Sequence, residues 1–250
     1  NTNVHGVSNN VSDGLLTSGS FTFEGFYNFP GGYRTNQSLI RMHTTGTSNP
    51  SNTESVITNL IASNYYLRLY FKDSPTDTTT RELFLTGVNI FDSDTWYISF
   101  GKENSHDIEA VGTSSYFLRA SKQLNGDIIA QYHTASIFSE HNDSVFKNIS
   151  AYNTSGSFLV IGSQSFQNPG AGNLFLNGAS SPSDSKVTSF HGMLTNLRFF
   201  SKNTTLKEFR NRSKNYDSFG VENPSINYNF TPASTGSFER LILNTDSKQF

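Results

Sequence analysis

The residues that come closest to a catalytic arrangement are two pairs of carboxylates, Asp92 with Asp94 and Asp107 with Glu109. Glycoside hydrolysis needs two carboxyl groups flanking the scissile bond. Some β-sandwich glycosidases place them at alternate positions of one strand, as in the pattern E-x-D-x-E, which this sequence lacks. The first pair directly precedes Trp96, where aspartate is expected to bond with the backbone of a turn. The second pair lies in a predicted loop, so we expect no catalytic role for either pair and no enzyme activity.

Metal-ligating side chains are present but form no transition-metal motif. The sequence has six histidines and no cysteine, and no two histidines are two or four residues apart. This argues against zinc, whose ligands follow such spacings. Calcium binds carboxylate, amide and carbonyl oxygens without a fixed spacing. The spacing argument therefore does not exclude calcium, and the loop residues Asp107, Asp143 and Asp184 are candidate calcium ligands, although a loop aspartate more often serves only its own turn.

Aromatic rings at the surface are the other feature with a binding chemistry. Tyr33 follows a Pro-Gly-Gly turn, and Tyr152 lies in a polar stretch, so both are expected to be exposed. A tyrosine ring can pack on the apolar face of a sugar. Scattered surface tyrosines are also common without any ligand. These two residues are therefore candidate ligand-binding residues on their chemistry alone.

The composition predicts a β-rich chain without a nucleic-acid or membrane partner. The 250 residues include 22 Phe and 11 Tyr, and only 15% are charged. Aromatic residues favour strands. The net charge of -2 offers no attraction for nucleic acid or an anionic membrane, and no run of 18 apolar residues could span a bilayer. The first residue is Asn rather than Met, so we expect a processed product or part of a longer polypeptide.

Alternation of apolar and polar residues predicts a series of strands and one helix. Strands are predicted at 21–29, 39–42, 65–71, 81–86, 92–100, 114–119, 126–133, 157–162, 190–200, 225–230 and 237–243. The dipeptide Asn125-Gly126 predicts a tight hairpin turn. Thr205 and Glu208 form a capping-box pattern, and Leu206 and Phe209 predict the apolar side of a short helix. Long polar loops are predicted at 134–156 and 164–186.

The same alternation predicts which side chains share one face of a strand. The sets predicted to share a face are Phe21, Phe23 and Tyr27; Tyr65, Leu67, Leu69 and Phe71; Trp96, Ile98 and Phe100; and Met193, Thr195, Leu197 and Phe199.

The order of these elements resembles that of laminin-G-like modules, which belong to the concanavalin-A-like jelly rolls. The resemblance rests on FTFEGFYNF at 21–29, WYISFG at 96–101, FLVIG at 158–162, FHGMLTNLRFF at 190–200 and the helix that follows. It implies an all-β, two-sheet antiparallel jelly-roll sandwich with one short C-terminal helix. We divide the chain into a lead-in segment at 1–20, the domain at 21–215, and a linker with strands of an extension or next module at 216–250.

The pairing of WYISFG with SSYFLR at 114–119 is most similar to laminin-G-like segments in structural proteins of marine tailed phages. This resemblance implies a non-enzymatic module at the virion surface or another extracellular site, in a tail fibre, an appendage or a capsid decoration. Its partners would be glycan receptors or neighbouring virion subunits, and such proteins usually form homo-oligomers, commonly trimers. Two alternatives stay open: a purely architectural virion protein that binds no sugar, and a polysaccharide-degrading enzyme.

Overall fold

A computed structural model describes residues 20–32, 36–44, 56–72, 81–104, 113–125, 127–139, 157–162, 165–168, 172–175, 188–200, 202–215 and 241–245. These residues form fourteen strands and one helix. The elements are β1 (Phe21–Asn28), β2 (Gln37–Thr44), β3 (Val56–Ala62), β4 (Tyr66–Lys72), β5 (Arg81–Thr86), β6 (Thr95–Asn104), β7 (Thr113–Leu124), β8 (Asp127–Ser139), β9 (Ser157–Ile161), β10 (Ser165–Asn168), β11 (Gly172–Phe175), β12 (Thr188–Ser189), β13 (Met193–Phe200), α1 (Leu206–Lys214) and β14 (Leu241–Thr245).

The strands form two six-stranded sheets and one two-stranded sheet. The back sheet has the order β14-β13-β1-β6-β7-β8, and all its neighbours are antiparallel. The front sheet has the order β12-β2-β3-β4-β5, with β9 also paired to β2 and β12 running parallel to it. β10 and β11 pair with each other. Because the two large sheets enclose one core, the predicted all-β jelly-roll sandwich with one short helix is confirmed.

Aromatic side chains of the back sheet fill the centre of the core. The ring of Phe23 stacks on that of Phe100 at 5.3 Å and lies 4.6 Å from that of Phe199. Such ring pairs add to the free energy gained from apolar burial. Trp96 and Ile98 share this buried face with Phe100, which confirms the prediction for β6.

The predicted shared face of β4 is confirmed for Leu67, Leu69 and Phe71, which are buried in the same core. It is wrong for Tyr65, which is 75% exposed. The physical reason is that β4 begins at Tyr66. Tyr65 lies in the bend before the strand, where the alternation of faces does not yet apply.

The predicted face of β13 is wrong in its first half and confirmed in its second. Met193 is 67% exposed, whereas Leu194 packs against the core. The cause is a β-bulge at Asn196, whose φ is 50°. At this point β13 has one residue more than the segment of β1 with which it pairs. An extra residue reverses which side chains face inward. Leu197 and Phe199, which follow the bulge, lie in the core as predicted.

Four short strands were not predicted from the sequence. β3 and β12 carry too few alternating residues to be recognised, and β10 and β11 lie in the segment predicted as a long loop at 164–186. β14 overlaps the strand predicted at 237–243 and pairs with β13, so it adds an edge strand to the back sheet. The strand predicted at 225–230 lies outside the described residues, and the division of the chain at residue 216 stays a prediction.

The helix α1 begins with the predicted capping box and packs on the outer surface of the back sheet. The Thr205 hydroxyl accepts a hydrogen bond from the Glu208 amide at 3.2 Å, and the Glu208 carboxylate accepts one from the Thr205 amide at 2.6 Å. Phe209 stacks on Tyr97 of β6 at 5.0 Å, with Leu206 beside them. No helix in the described part of the chain is long and apolar enough to cross a membrane.

Beneath α1 the back sheet buries a charged cluster, which we define as Glu24 of β1, Arg198 of β13 and Arg212 of α1. Each of these side chains is at most 2% exposed. Arg212 Nε lies 2.8 Å from Glu24 Oε1 and 3.0 Å from Oε2, and Arg198 Nη1 lies 3.7 Å from Oε1. Arg212 Nε also donates to the Tyr97 hydroxyl at 3.4 Å. One carboxylate thus joins two strands and the helix.

We expect the protein to lose stability above pH 10. Burial raises the pKa of the Tyr27 and Tyr97 phenols well above their usual value of about 10. Below pH 10 the phenols stay protonated in the folded and the unfolded state, and stability is unchanged. Above pH 10 the unfolded state loses its protons first, so each pH unit lowers the free energy of unfolding by up to about 1.4 kcal/mol per buried tyrosine.

This alkaline loss can be measured by the absorbance of ionised tyrosine together with circular dichroism. Two of the 11 tyrosines should stay protonated until the circular dichroism signal of the fold is lost. Ionisation of all tyrosines near pH 10 in a protein that stays folded would contradict the prediction.

Candidate ligand-binding site

The candidate residues chosen from the sequence lie outside the described residues. These are the candidate calcium ligands Asp107, Asp143 and Asp184 and the candidate sugar-contacting residues Tyr33 and Tyr152. Their roles therefore stay predictions. Among the residues that the structure describes, no group of three or more His, Asp or Glu side chains is arranged to hold a metal ion.

The carboxylate pair Asp92 and Asp94 serves the turn before β6, which confirms that interpretation. The Asp94 amide and the Trp96 indole each donate to Asp92 Oδ1 at 3.1 Å. Lys122 Nζ lies 2.6 Å from a carboxylate oxygen of each aspartate. Hydrogen bonds to both carboxylates raise the pKa of Lys122 above its usual value. One ammonium therefore lies between the two carboxylates and pairs with both of them.

The outward surface of the front sheet carries charged and aromatic side chains that are not among the candidate residues predicted from the sequence. Because Leu67 and Leu69 face the core, the alternate residues of β4 face away from it. The same holds for β5, where Leu83 and Leu85 face inward. We define the front face as Arg41, Tyr66, Arg68, Tyr70, Glu82 and Phe84.

The strand register brings the polar members of the front face together around Arg68. Arg68 lies opposite Phe84, and Tyr70 lies opposite Glu82. The guanidinium of Arg68 forms an ion pair with Glu82. Its central carbon lies 4.9 Å from the ring centroid of Tyr70 and 5.9 Å from that of Phe84. A carboxylate and two rings therefore fix one guanidinium, and cation–π attraction adds to the ion pair.

The cluster of side chains around Arg68 is open to solvent on the side of Phe84. The Phe84 side chain is 43% exposed, and Tyr66 meets its ring edge-on at 5.4 Å. The Arg68 and Glu82 side chains are 11% and 22% exposed. The exposed ring of Phe84 thus lies beside a fixed hydrogen-bond donor, Arg68, and a fixed acceptor, Glu82. Such a ring can pack on the C–H face of a sugar while the donor and the acceptor bind the hydroxyls of the sugar.

Arg41 lies deeper in the same face. Its side chain is only 1% exposed, and burial lowers its pKa to about 10, an effect that the negative charge of the Tyr70 phenolate form partly opposes. The guanidinium therefore remains charged at neutral pH. Arg41 is therefore a buried member of the front face, as is Tyr70 at 0% exposure, and both are shielded from solvent.

The sequence contained a signal for this face. The residues Tyr66-x-Arg68-x-Tyr70 alternate with the core leucines, so a predicted strand already placed two rings and a guanidinium on one outward side. The pairing of Arg68 with Glu82 follows only from the register between β4 and β5.

No protein-family model matches this chain, and no curated protein matches it. Among solved structures, the enzymatically active domain of bacteriophage CBA120 tailspike protein 2 is similar to 94% of this chain, with 12% identity and a TM-score of 0.45. The CBM40 of the Ruminococcus gnavus IT-sialidase, solved bound to alpha2,3 sialyllactose, matches 81% of this chain and 85% of its own, with 14% identity and a TM-score of 0.43. The LG1-3 region of the laminin alpha2 chain matches 76% of this chain, with 11% identity and a TM-score of 0.44.

The matched regions are small parts of two of these proteins. This chain spans 28% of the tailspike chain and 30% of the laminin chain. The likenesses are distant, and no residue role follows from them.

Proposed function

We propose that this chain is a non-enzymatic β-sandwich module that attaches to carbohydrate through its front face. The observation that supports this proposal is the Arg68–Glu82 ion pair beside the solvent-exposed ring of Phe84. The proposed setting is the exterior of a virion or a cell, in a tail fibre, an appendage or a capsid decoration.

Three members of the front face, Phe84, Glu82 and Arg68, have a defined role in the proposed binding. The Phe84 ring packs against the apolar face of one sugar ring. Glu82 accepts hydrogen bonds from sugar hydroxyls, and Arg68 donates them. Because both side chains stand on paired strands and hold each other in place, little conformational entropy is lost when the ligand binds.

The non-enzymatic part of the proposal rests on the carboxylates of the front face. Within the described residues, Glu82 is the one carboxylate there, and it is paired with Arg68. Hydrolysis of a glycosidic bond requires a second carboxyl group at about 5 to 9.5 Å.

A purely architectural role is the second candidate function. Ile129 and Ile137 of β8 are 52% and 73% exposed, and apolar side chains at a sheet edge suit a contact with another subunit. This surface is on the back sheet, so both functions can occur in one protein.

A glycan array with the purified chain tests the proposed function, with matched variants on the sugars that bind. Phe84→Ala should weaken binding about tenfold because the ring contact is lost. Glu82→Gln should weaken it by a similar factor because a charged acceptor is lost. The control is Tyr65→Ala, which removes an exposed ring outside the front face and should leave binding unchanged.

The array is run with calcium and again with a chelator. Binding that resists the chelator and falls with Phe84→Ala supports the front face. Binding that the chelator abolishes would move the site to the loop residues Asp107, Asp143 and Asp184. A blank array would contradict glycan binding and favour the architectural function.

A further inference from the structure

A further guanidinium is buried beside the charged cluster of Glu24, Arg198 and Arg212, and no carboxylate pairs with it. Arg119 of β7 is 5% exposed, and its Nη1 donates a hydrogen bond to the Thr204 carbonyl at 2.6 Å. Within the described part of the chain Arg119 forms no ion pair, and its Nε has no hydrogen-bond acceptor. Burial lowers the pKa of Arg119 to about 10, so the side chain is charged at neutral pH.

The strand register places Arg119 in a row of outward side chains that crosses the back sheet. Ser99 of β6 lies directly opposite Arg119 on one side and directly opposite Glu24 of β1 on the other. Side chains at directly opposite positions of antiparallel strands are neighbours. Ser99 is completely buried, and its hydroxyl has no hydrogen-bond partner. Because serine is much shorter than either neighbour, the row is lowest at Ser99.

Thr204, which directly precedes the N-cap residue of α1, holds the chain over this part of the sheet. Its carbonyl accepts the hydrogen bond from Arg119, and its amide donates one to the Thr22 hydroxyl of β1 at 3.0 Å. Its own hydroxyl is buried without a hydrogen-bond partner. Arg119 Nε and the hydroxyls of Ser99 and Thr204 are thus three unused donors between the back sheet and the start of α1.

The surroundings of these donors are positively charged. The charge of Arg212 lowers the pKa of Arg119, whereas Glu24 already pairs with Arg212. The central carbon of the Arg119 guanidinium lies 3.9 Å from the ring centroid of Phe117 and 6.0 Å from that of Phe209. These rings attract the cation, but they leave its Nε without an acceptor. A buried charge without a counter-ion is strongly unfavourable, so an anion at this position stabilises the fold.

We propose that Arg119, Ser99 and Thr204 bind a small monovalent anion, a halide such as chloride, between the back sheet and α1. The ion accepts hydrogen bonds from Arg119 Nε and from the two hydroxyls, and it neutralises the charge of Arg119. Each of the three residues is at most 5% exposed, which favours a monatomic ion over a large oxyanion. Arg212 stays paired with Glu24 and contributes positive potential. The site is independent of the proposed glycan binding on the front sheet.

Urea denaturation of the full chain at constant ionic strength tests the site. Sodium chloride is exchanged stepwise for sodium gluconate, whose anion is too large for the site. A ligand that binds only the folded state stabilises it by mass action. For one ion, the equilibrium constant of unfolding should fall about tenfold for each tenfold rise in chloride above the dissociation constant. An equilibrium constant that does not change with the exchange would overturn the proposal.

Arg119→Met removes the charge that the ion neutralises, so the chloride dependence should disappear. In gluconate this variant should be at least as stable as the wild type, because an unpaired buried charge is replaced by an apolar side chain. A variant that is less stable than the wild type in gluconate would assign Arg119 a purely structural role and overturn the proposal. The same holds for a variant that keeps the chloride dependence of the wild type.

Ser99→Ala is the more conservative variant, since it removes only the hydroxyl. It should weaken chloride binding about tenfold because one hydrogen bond to the ion is lost. Unchanged chloride binding in this variant would exclude the site at Ser99. The matched control is Arg210→Met, which removes an exposed guanidinium from α1 and should keep the chloride dependence of the wild type.

Crystals grown in sodium bromide locate the ion directly, because bromide scatters X-rays anomalously. The expected result is an anomalous peak within hydrogen-bond distance of Arg119 Nε and Ser99 Oγ, and no such peak in Arg119→Met. A water molecule at that position, or bromide bound only elsewhere on the protein, would overturn the proposal.

Discussion

Replacing Glu24 with alanine is expected to lower the free energy of unfolding by about 3–5 kcal/mol, the cost of leaving buried cations without their counter-ion. Arg198 and Arg212 remain in the sheet–helix interface, at most 2% exposed, after the carboxylate is removed. Burial acts to lower the pKa of Arg212, and the charge of Glu24 more than offsets this, so the folded protein holds Arg212 charged. The variant would then bury that charge with no opposite charge beside it.

The measurement is equilibrium denaturation in urea. The matched control is Glu103→Ala, which removes an exposed carboxylate near the end of β6 and should change stability by less than about 0.5 kcal/mol. A double-mutant cycle with Arg212→Met separates the ion pair from the other effects: the double variant should be more stable than the sum of the single losses predicts. A loss below about 1 kcal/mol for Glu24→Ala would contradict the assigned role of the cluster.

Truncation of a core ring is expected to have a similar effect. Trp96→Ala or Phe199→Ala should lower the free energy of unfolding by about 3–5 kcal/mol, because a cavity remains where the ring was. Trp96 is 2% exposed and Phe199 is 3% exposed, and both belong to the core between the sheets.

Thermal unfolding and urea denaturation give this loss directly. Met193→Ala is the control, since Met193 lies on the same strand as Phe199 but is 67% exposed. Its unfolding should match that of the wild type. An unfolding midpoint of either core variant equal to that of the wild type would contradict the assignment of β6 and β13 to the core.

The elements with strong local patterns could be predicted from the sequence. Alternation is a property of one strand alone, and it placed Phe23, Trp96 and Leu69 correctly. The capping box of α1 is also local, because Thr205 and Glu208 are three residues apart. The bulge at Asn196 could not be predicted, because it depends on how β13 pairs with β1.

The candidate site depends on distant parts of the chain, and the sequence predicted little of it. Arg68 and Glu82 are joined by the register of two strands, which a single strand pattern does not determine. The buried charged cluster is even harder to predict from the sequence, since Glu24 contacts Arg212 only after the two ends of the domain have come together. The residues that the sequence did favour, Tyr33 and Tyr152, were chosen for their chemistry without a strand to position them.

The place of β1 in the back sheet has a consequence for synthesis of the protein. β1 lies between β6 and β13, so one of its edges is completed by the middle of the chain and the other only by residues 193–200. During synthesis on the ribosome, β1 is therefore made before β6 and β13. Its second edge stays unpaired until almost all of the domain has been made. Contacts between distant residues form slowly, and unpaired apolar strands associate with other chains. The growing chain thus remains open to misassembly until β13 has been made, whatever the stability of the finished fold.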